Sequence, residues 1–186
     1  MKISLLVAVI IIAAATLLVG FGRKSKANTI ANNSGNPYKE LRDKALHITP
    51  QELELELPAS KTVVYGVVMD WSMGADIVTL VSFQTGDVSM YFSNGGGMIG
   101  GGQHANVNSA AKTFIQKSQS YISKAKLTTE TPLPGDGGIC FYLLTNKGIY
   151  TAQEKLKNVQ KAGSEWNSFF TEANVVISEF RIATEK

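Results

Sequence analysis

From Ile3 to Gly22 the chain reads ISLLVAVIIIAAATLLVGFG, without one charged side chain. In helical form about 20 such residues match the hydrocarbon thickness of a bilayer, where every backbone polar group must find its partner within the segment. Residues 1–22 therefore read as a transmembrane anchor with residues 3–21 in the span, which makes the remainder a separate folding unit. A cleaved secretory signal is the rival reading, because Ser25 and Ala27 have the small-residue spacing a peptidase needs. Against it, the leading segment holds only Lys2, and Arg23, Lys24 and Lys26 precede the cut. Those three cations, set against Lys2, place the main domain in the cytoplasm by the positive-inside tendency. An outward-facing domain would instead present Asn32, in NNS, as a glycosylation acceptor. The lone cysteine, Cys140, is far from the anchor, which excludes lipoprotein attachment.

Residues 23–36 form a basic flank followed by the polar, turn-prone ANTIANNSGN, a flexible tether with a reach of roughly 18 Å. Residues 37–186 are long enough for a single domain with an ordinary core. A net charge of +3 over 186 residues gives no field that calls for nucleic acid. Cys140 lies in the apolar run GICFYLL, which predicts a buried, inert thiol.

Within the domain, Asn36 and Pro37 predict a cap and first turn for a helix through Leu46, and Thr49 with Glu52 predicts a capping box. The following ELELELP suits strand or helix. TVVYGVVMDW, DIVTLVSF and DVSMYFS are rich in β-branched and aromatic residues and are separated by turn-forming SMGA and QTG, so they predict a three-strand antiparallel meander. Val107, Ala110, Ala111, Phe114, Ile115, Ile122 and Ala125 recur at helical spacing, which predicts an amphipathic helix over 105–125. GICFYLLTNKGIYTA reads as a hairpin turned at Asn146–Gly148. Thr151 and Glu154 permit a capping box over 152–162, or the strand continues. Ser164 then caps a helix whose stripe runs from Trp166 through Phe170 and Val176 to Phe180.

The expected fold is thus α+β: an N-terminal transmembrane helix, then a five-stranded, mainly antiparallel sheet with helices packed against it. This element order is similar to the profilin-like, longin and roadblock architectures, a resemblance that implies fold alone.

Residues 93–104, SNGGGMIGGGQH, hold six of the seventeen glycines. Gly95, Gly97 and Gly100 satisfy G-x-G-x-x-G, yet no Asp or Glu lies between Asp87 and Glu130 to meet a ribose, and no Lys followed by Ser or Thr closes a Walker loop. A dinucleotide site is therefore excluded. What remains is bare backbone leading into a helix N-terminus, an anion or partner contact made by Ser93, Asn94, Gly95, Gly96, Gly97, Gly100, Gly101, Gly102 and His104. Lys112, Lys117, Lys124 and Lys126 bias its field, Lys117 and Lys124 from one helix face. The bland alternative is a sharp strand-to-helix reversal.

Elsewhere the sequence is poor in chemistry. His47 and His104 stand far apart, so no metal site is expected, and nothing points to a cofactor. Asp70 and Asp76 flank Trp71 and read either as an acid–base pair or as turn carboxylates. Trp71 and Met73 pack at an edge or form an exposed knob. Neither G-x-S-x-G nor a Cys with a nearby His is present. The expectation is a membrane-anchored, non-enzymatic binding or adaptor module that meets a protein partner or small anion through the glycine run. The alternatives are a component self-associating through a sheet edge, and an enzyme acting on a phosphorylated or nucleotide substrate.

Overall fold

The computed structural model describes residues 37–185. The anchor at 1–22, the tether at 23–36, the Asn36 cap and Asn32 lie outside the described residues. Among those described, no helix is long and apolar enough to cross a membrane.

The β-branched and aromatic runs form the expected meander, with Val64–Met73 (β1), Asp76–Phe83 (β2) and Val88–Phe92 (β3) pairing antiparallel in turn. Gly97–Ile99 (β4) adds to β3, and after a helical segment come Lys126–Thr128 (β5) and the hairpin of Gly138–Thr145 (β6) with Gly148–Lys155 (β7). The sheet is seven-stranded and antiparallel throughout, ordered β4-β3-β2-β1-β6-β7-β5. The expected count of five is corrected for a simple reason. β4 and β5 have three residues each, too few for an alternating pattern to be visible in sequence.

Both faces of the sheet are covered. Cross-strand register puts Val68, Asp70, Thr79, Val81, Cys140 and Tyr142 on one face, under the helix Pro37–His47 (α1). Val67, Met69, Trp71, Leu80, Phe141 and Leu143 occupy the other, against Ala105–Ser118 (α2) and, after the short Leu156–Val159 (α3), Asn167–Thr184 (α4). Burial on two sides explains why β1 and β6 are apolar almost without interruption. On the α2–α4 side the core is aromatic: Phe141 stacks on Trp166 at 5.0 Å, while Phe169 meets Phe114, Phe141, Tyr121 and Trp166 edge-on. Such contacts contribute about 0.5–1.5 kcal/mol per pair beyond area burial.

Several local expectations resolve here. The Thr49–Glu52 capping box forms, Thr49 N–H donating to Glu52 Oε2 at 2.8 Å and Glu52 N–H to Thr49 Oγ1 at 3.3 Å. ELELEL is neither helix nor strand beyond that turn; Leu53, Leu55 and Leu57 pack onto the core while the intervening glutamates stay exposed. The helix expected over 105–125 stops at Ser118, continues as a 3-10 turn over Gln119–Lys124, and gives way to β5. Strand β7 runs to Lys155 before α3 begins, so the Thr151–Glu154 box is not made. Ser164 does not cap α4, which starts at Asn167 with no side-chain cap; Ser164 Oγ accepts only from Trp166 N–H at 3.4 Å.

Candidate functional site

The glycine run divides into two structures joined by β4. Ser93, Asn94 and Gly95 turn the β3–β4 hairpin, Gly95 N–H donating to Phe92 O at 3.0 Å and Phe92 N–H to Gly96 O at 3.2 Å. Gly95 and Gly96 have φ of +97° and +95°, a region that residues with a Cβ rarely enter. Ser93 is tied to β2 through Ile77, whose N–H donates to Ser93 Oγ at 2.8 Å, and Asn94 Nδ2 donates to Asp76 Oδ2 at 3.1 Å. Beyond β4, Gly100 at φ +87° opens a 3-10 turn, Gly101–Gln103, that leads into α2.

Close approach explains the remaining glycines. A Cβ on Gly97 would lie 2.5 Å from the Met90 carbonyl oxygen, and one on Gly101 would lie 3.0 Å from both Phe180 and Val88. A Cβ on Gly102 would meet Asp87 Oδ1 at 2.7 Å. His104 sits exposed at the N-cap position of α2 with no side-chain cap, its N–H donating to Gly101 O at 3.1 Å. The nine residues are therefore not gathered at one point. Ser93–Gly96 and Gly100–His104 occupy opposite ends of β4, about 10 Å apart at the rise of a strand.

The lysines do not surround this loop either. Lys117 pairs with Glu172 on α4 at 2.5 Å, and Lys124 lies 5.0 Å above the Tyr121 ring. Lys124 belongs to the 3-10 turn, so the shared helix face expected for it and Lys117 does not exist. A groove of about 600 Å³ between the end of α2 and the start of α4 has Phe114 and Phe169 in its lining. Its polar lining is largely engaged: Ser118 and Ser120 donate to backbone carbonyls, and Gln119 bonds to Thr62 and Val64.

β4 itself has an exposed side. Among the described residues no strand lies beyond it, and Ile99, 69% exposed, is the most exposed large hydrophobic side chain. The opposite edge, β5, exposes Leu127 at 62% but carries Lys126 beside it. Lysines on an edge strand discourage pairing with another chain. β4 itself carries no such residue, and no charged residue occurs between Asp87 and Lys112. Sequence reasoning singled out the glycines and missed Met98 and Ile99 between them, since two apolar residues carry no periodic signal.

Asp70 and Asp76 are not a pair: Asp70 lies opposite Thr79 inside the sheet, whereas Asp76 opens β2. Asp70 has no exposed surface, and its Oδ2 accepts from Arg42 Nε and Nη2 at 2.9 and 2.6 Å. Thr79 Oγ1 donates to Asp70 Oδ1 at 2.6 Å and shares a 2.9 Å bond with Tyr38 Oη. Arg42 also donates to Thr131 O at 2.9 Å. The network locks α1 and the segment near Thr131 onto the sheet. Burial pushes the Asp70 carboxyl up while Arg42 and Thr79 oppose it, and the bond to Asp70 holds Arg42 above its ordinary value despite the opposing effect of burial. With both carboxylate oxygens engaged in a closed core, the group reaches no substrate.

Cys140 is 1% exposed, and burial raises its thiol to about 11, as an inert core cysteine requires. Trp71 is 2% exposed, its ring edge-on to Phe170 at 5.3 Å, so it forms no knob. No three His, Cys, Asp or Glu side chains among the described residues converge as metal ligands. No known protein-family model, curated protein or solved structure matches the chain.

Proposed function

We propose that this chain is a membrane-anchored, non-enzymatic binding module that receives an extended segment of a protein partner on the free edge of β4. The observation that carries the reading is the unguarded edge, a terminal strand bearing a 69% exposed isoleucine in a stretch without charge. Strand addition of this kind draws affinity from main-chain hydrogen bonds and specificity from alternate side chains. The apolar run at residues 3–21 supports attachment to a bilayer, which would raise the local concentration of the domain toward other membrane proteins. The enclosure of Asp70 and Cys140 favours a contact role over proton transfer or nucleophilic chemistry.

The test is site-specific photo-crosslinking in the full chain, in its membrane. A crosslinker at Ile99 is expected to give a discrete protein adduct, and the same group at Leu127 none. Equal labelling from both edges, or none from Ile99, refutes the reading.

A further inference from the structure

Resting on the proposed role of the β4 edge, we infer that the segment it receives is β4 of a second copy of this chain, paired antiparallel about a two-fold axis at Met98. Three features of the strip argue for self-recognition. Its sequence is self-complementary: centring an antiparallel pair on Met98 sets Ile99 of each copy opposite Gly97 of the other, because directly opposed residues share a sheet face. Gly97 is exposed and offers bare backbone where Ile99 offers an exposed side chain, so projection meets gap on both sides of the axis.

Charge supplies the second argument. Like charges placed opposite themselves oppose any two-fold contact, and the span between Asp87 and Lys112 has none. The same operation at β5, centred on Leu127, would set each Lys126 opposite Thr128 of the other copy and leave the two lysines diagonal to each other on one sheet face. The third feature is symmetry. A two-fold contact closes after two chains and consumes both β4 edges, whereas joining β4 to β5 would propagate along the sheet without end. Pairing at β4 yields one continuous sheet through both domains.

The experiment uses the full chain in liposomes. Met98→Cys places a thiol on the axis, directly opposite its own copy, and oxidation is expected to give a disulfide-linked dimer, while Leu127→Cys gives none; the native Cys140 lies on the interior strand β6, away from the axis, and does not compete. Adding Ile99→Lys to Met98→Cys should lower the dimer yield about tenfold, the factor given by about 1.4 kcal/mol. Because Ile99 is largely exposed, that variant keeps its fold, and light scattering of the detergent-solubilised chain should read two copies for the parent and one for Ile99→Lys. A single-chain mass for the parent, or crosslinking through Leu127 instead, overturns the second copy as occupant. If the parent is a single chain and a photo-crosslinker at Ile99 captures a different protein, the edge reading survives and self-pairing falls. No adduct of any kind from Ile99 removes both.

Discussion

The Arg42–Asp70 pair permits a prediction whose magnitude separates two physical accounts of the same bonds. Asp70→Asn keeps one acceptor oxygen to face Arg42, turns the other oxygen into an NH2 that can donate to Thr79 Oγ1, and removes the negative charge. If the hydrogen bonds alone mattered, the change would cost about 0.5–1.5 kcal/mol. The guanidinium that stays behind, however, is 9% exposed and has Asp70 as its sole ion-pair partner among the described residues. Leaving such a charge uncompensated costs about 3–5 kcal/mol. The larger figure should prevail, equal to a fall in Tm of about 6–20 °C for a domain of this size. Urea titration followed by tryptophan fluorescence suits the measurement, since Trp71 and Trp166 are 2% and 4% exposed and report the core directly. The double variant Arg42→Met with Asp70→Leu should recover most of the loss, because removing both charges leaves none stranded. A destabilisation near 1 kcal/mol for Asp70→Asn would refute the argument from buried charge.

Two further outcomes follow from backbone space and from the buried thiol. Gly97→Ala and Gly101→Ala should each destabilise by about 1–3 kcal/mol, since a Cβ would meet the Met90 carbonyl or the Phe180 and Val88 side chains, whereas Gly135→Ala, with nothing within 4 Å, should be close to neutral in the same urea titration. Cys140 should resist maleimide in the native state and react at a rate set by unfolding. The sign of its pH dependence is fixed by the raised value: the fold favours the neutral thiol, so that contribution to stability is intact below an ordinary 9.0 and declines as pH rises toward about 11. Stability that rose over that interval with Cys140 intact, but not in Cys140→Ala, would contradict the assignment.

The glycine run shows how far composition carries an inference about a site. Six glycines suggested a cradle, but four distinct demands account for them: a hairpin turn at Gly95 and Gly96, a close crossing at Gly97, a left-handed residue at Gly100, and packing against neighbours at Gly101 and Gly102. None of these needs a ligand. The strand between the two triplets stands out instead, for it carries no charge and, among the described residues, has no strand on its outer side.

Residue order alone determined the β1–β3 meander, the β6–β7 hairpin and the apolar stripes of α2 and α4, because each arises from contacts close in sequence and leaves a periodic imprint. It also determined that Cys140 would be buried. Only the tertiary structure decided the seven-strand order, the partner of Asp70 and the exposure of Ile99. Arg42 lies 28 residues from Asp70, and nothing in either neighbourhood marks the other as its match. Whether Met98 and Ile99 are interior or edge depends on where β3 sits in the sheet, a property of the assembled strands that three residues cannot encode by themselves.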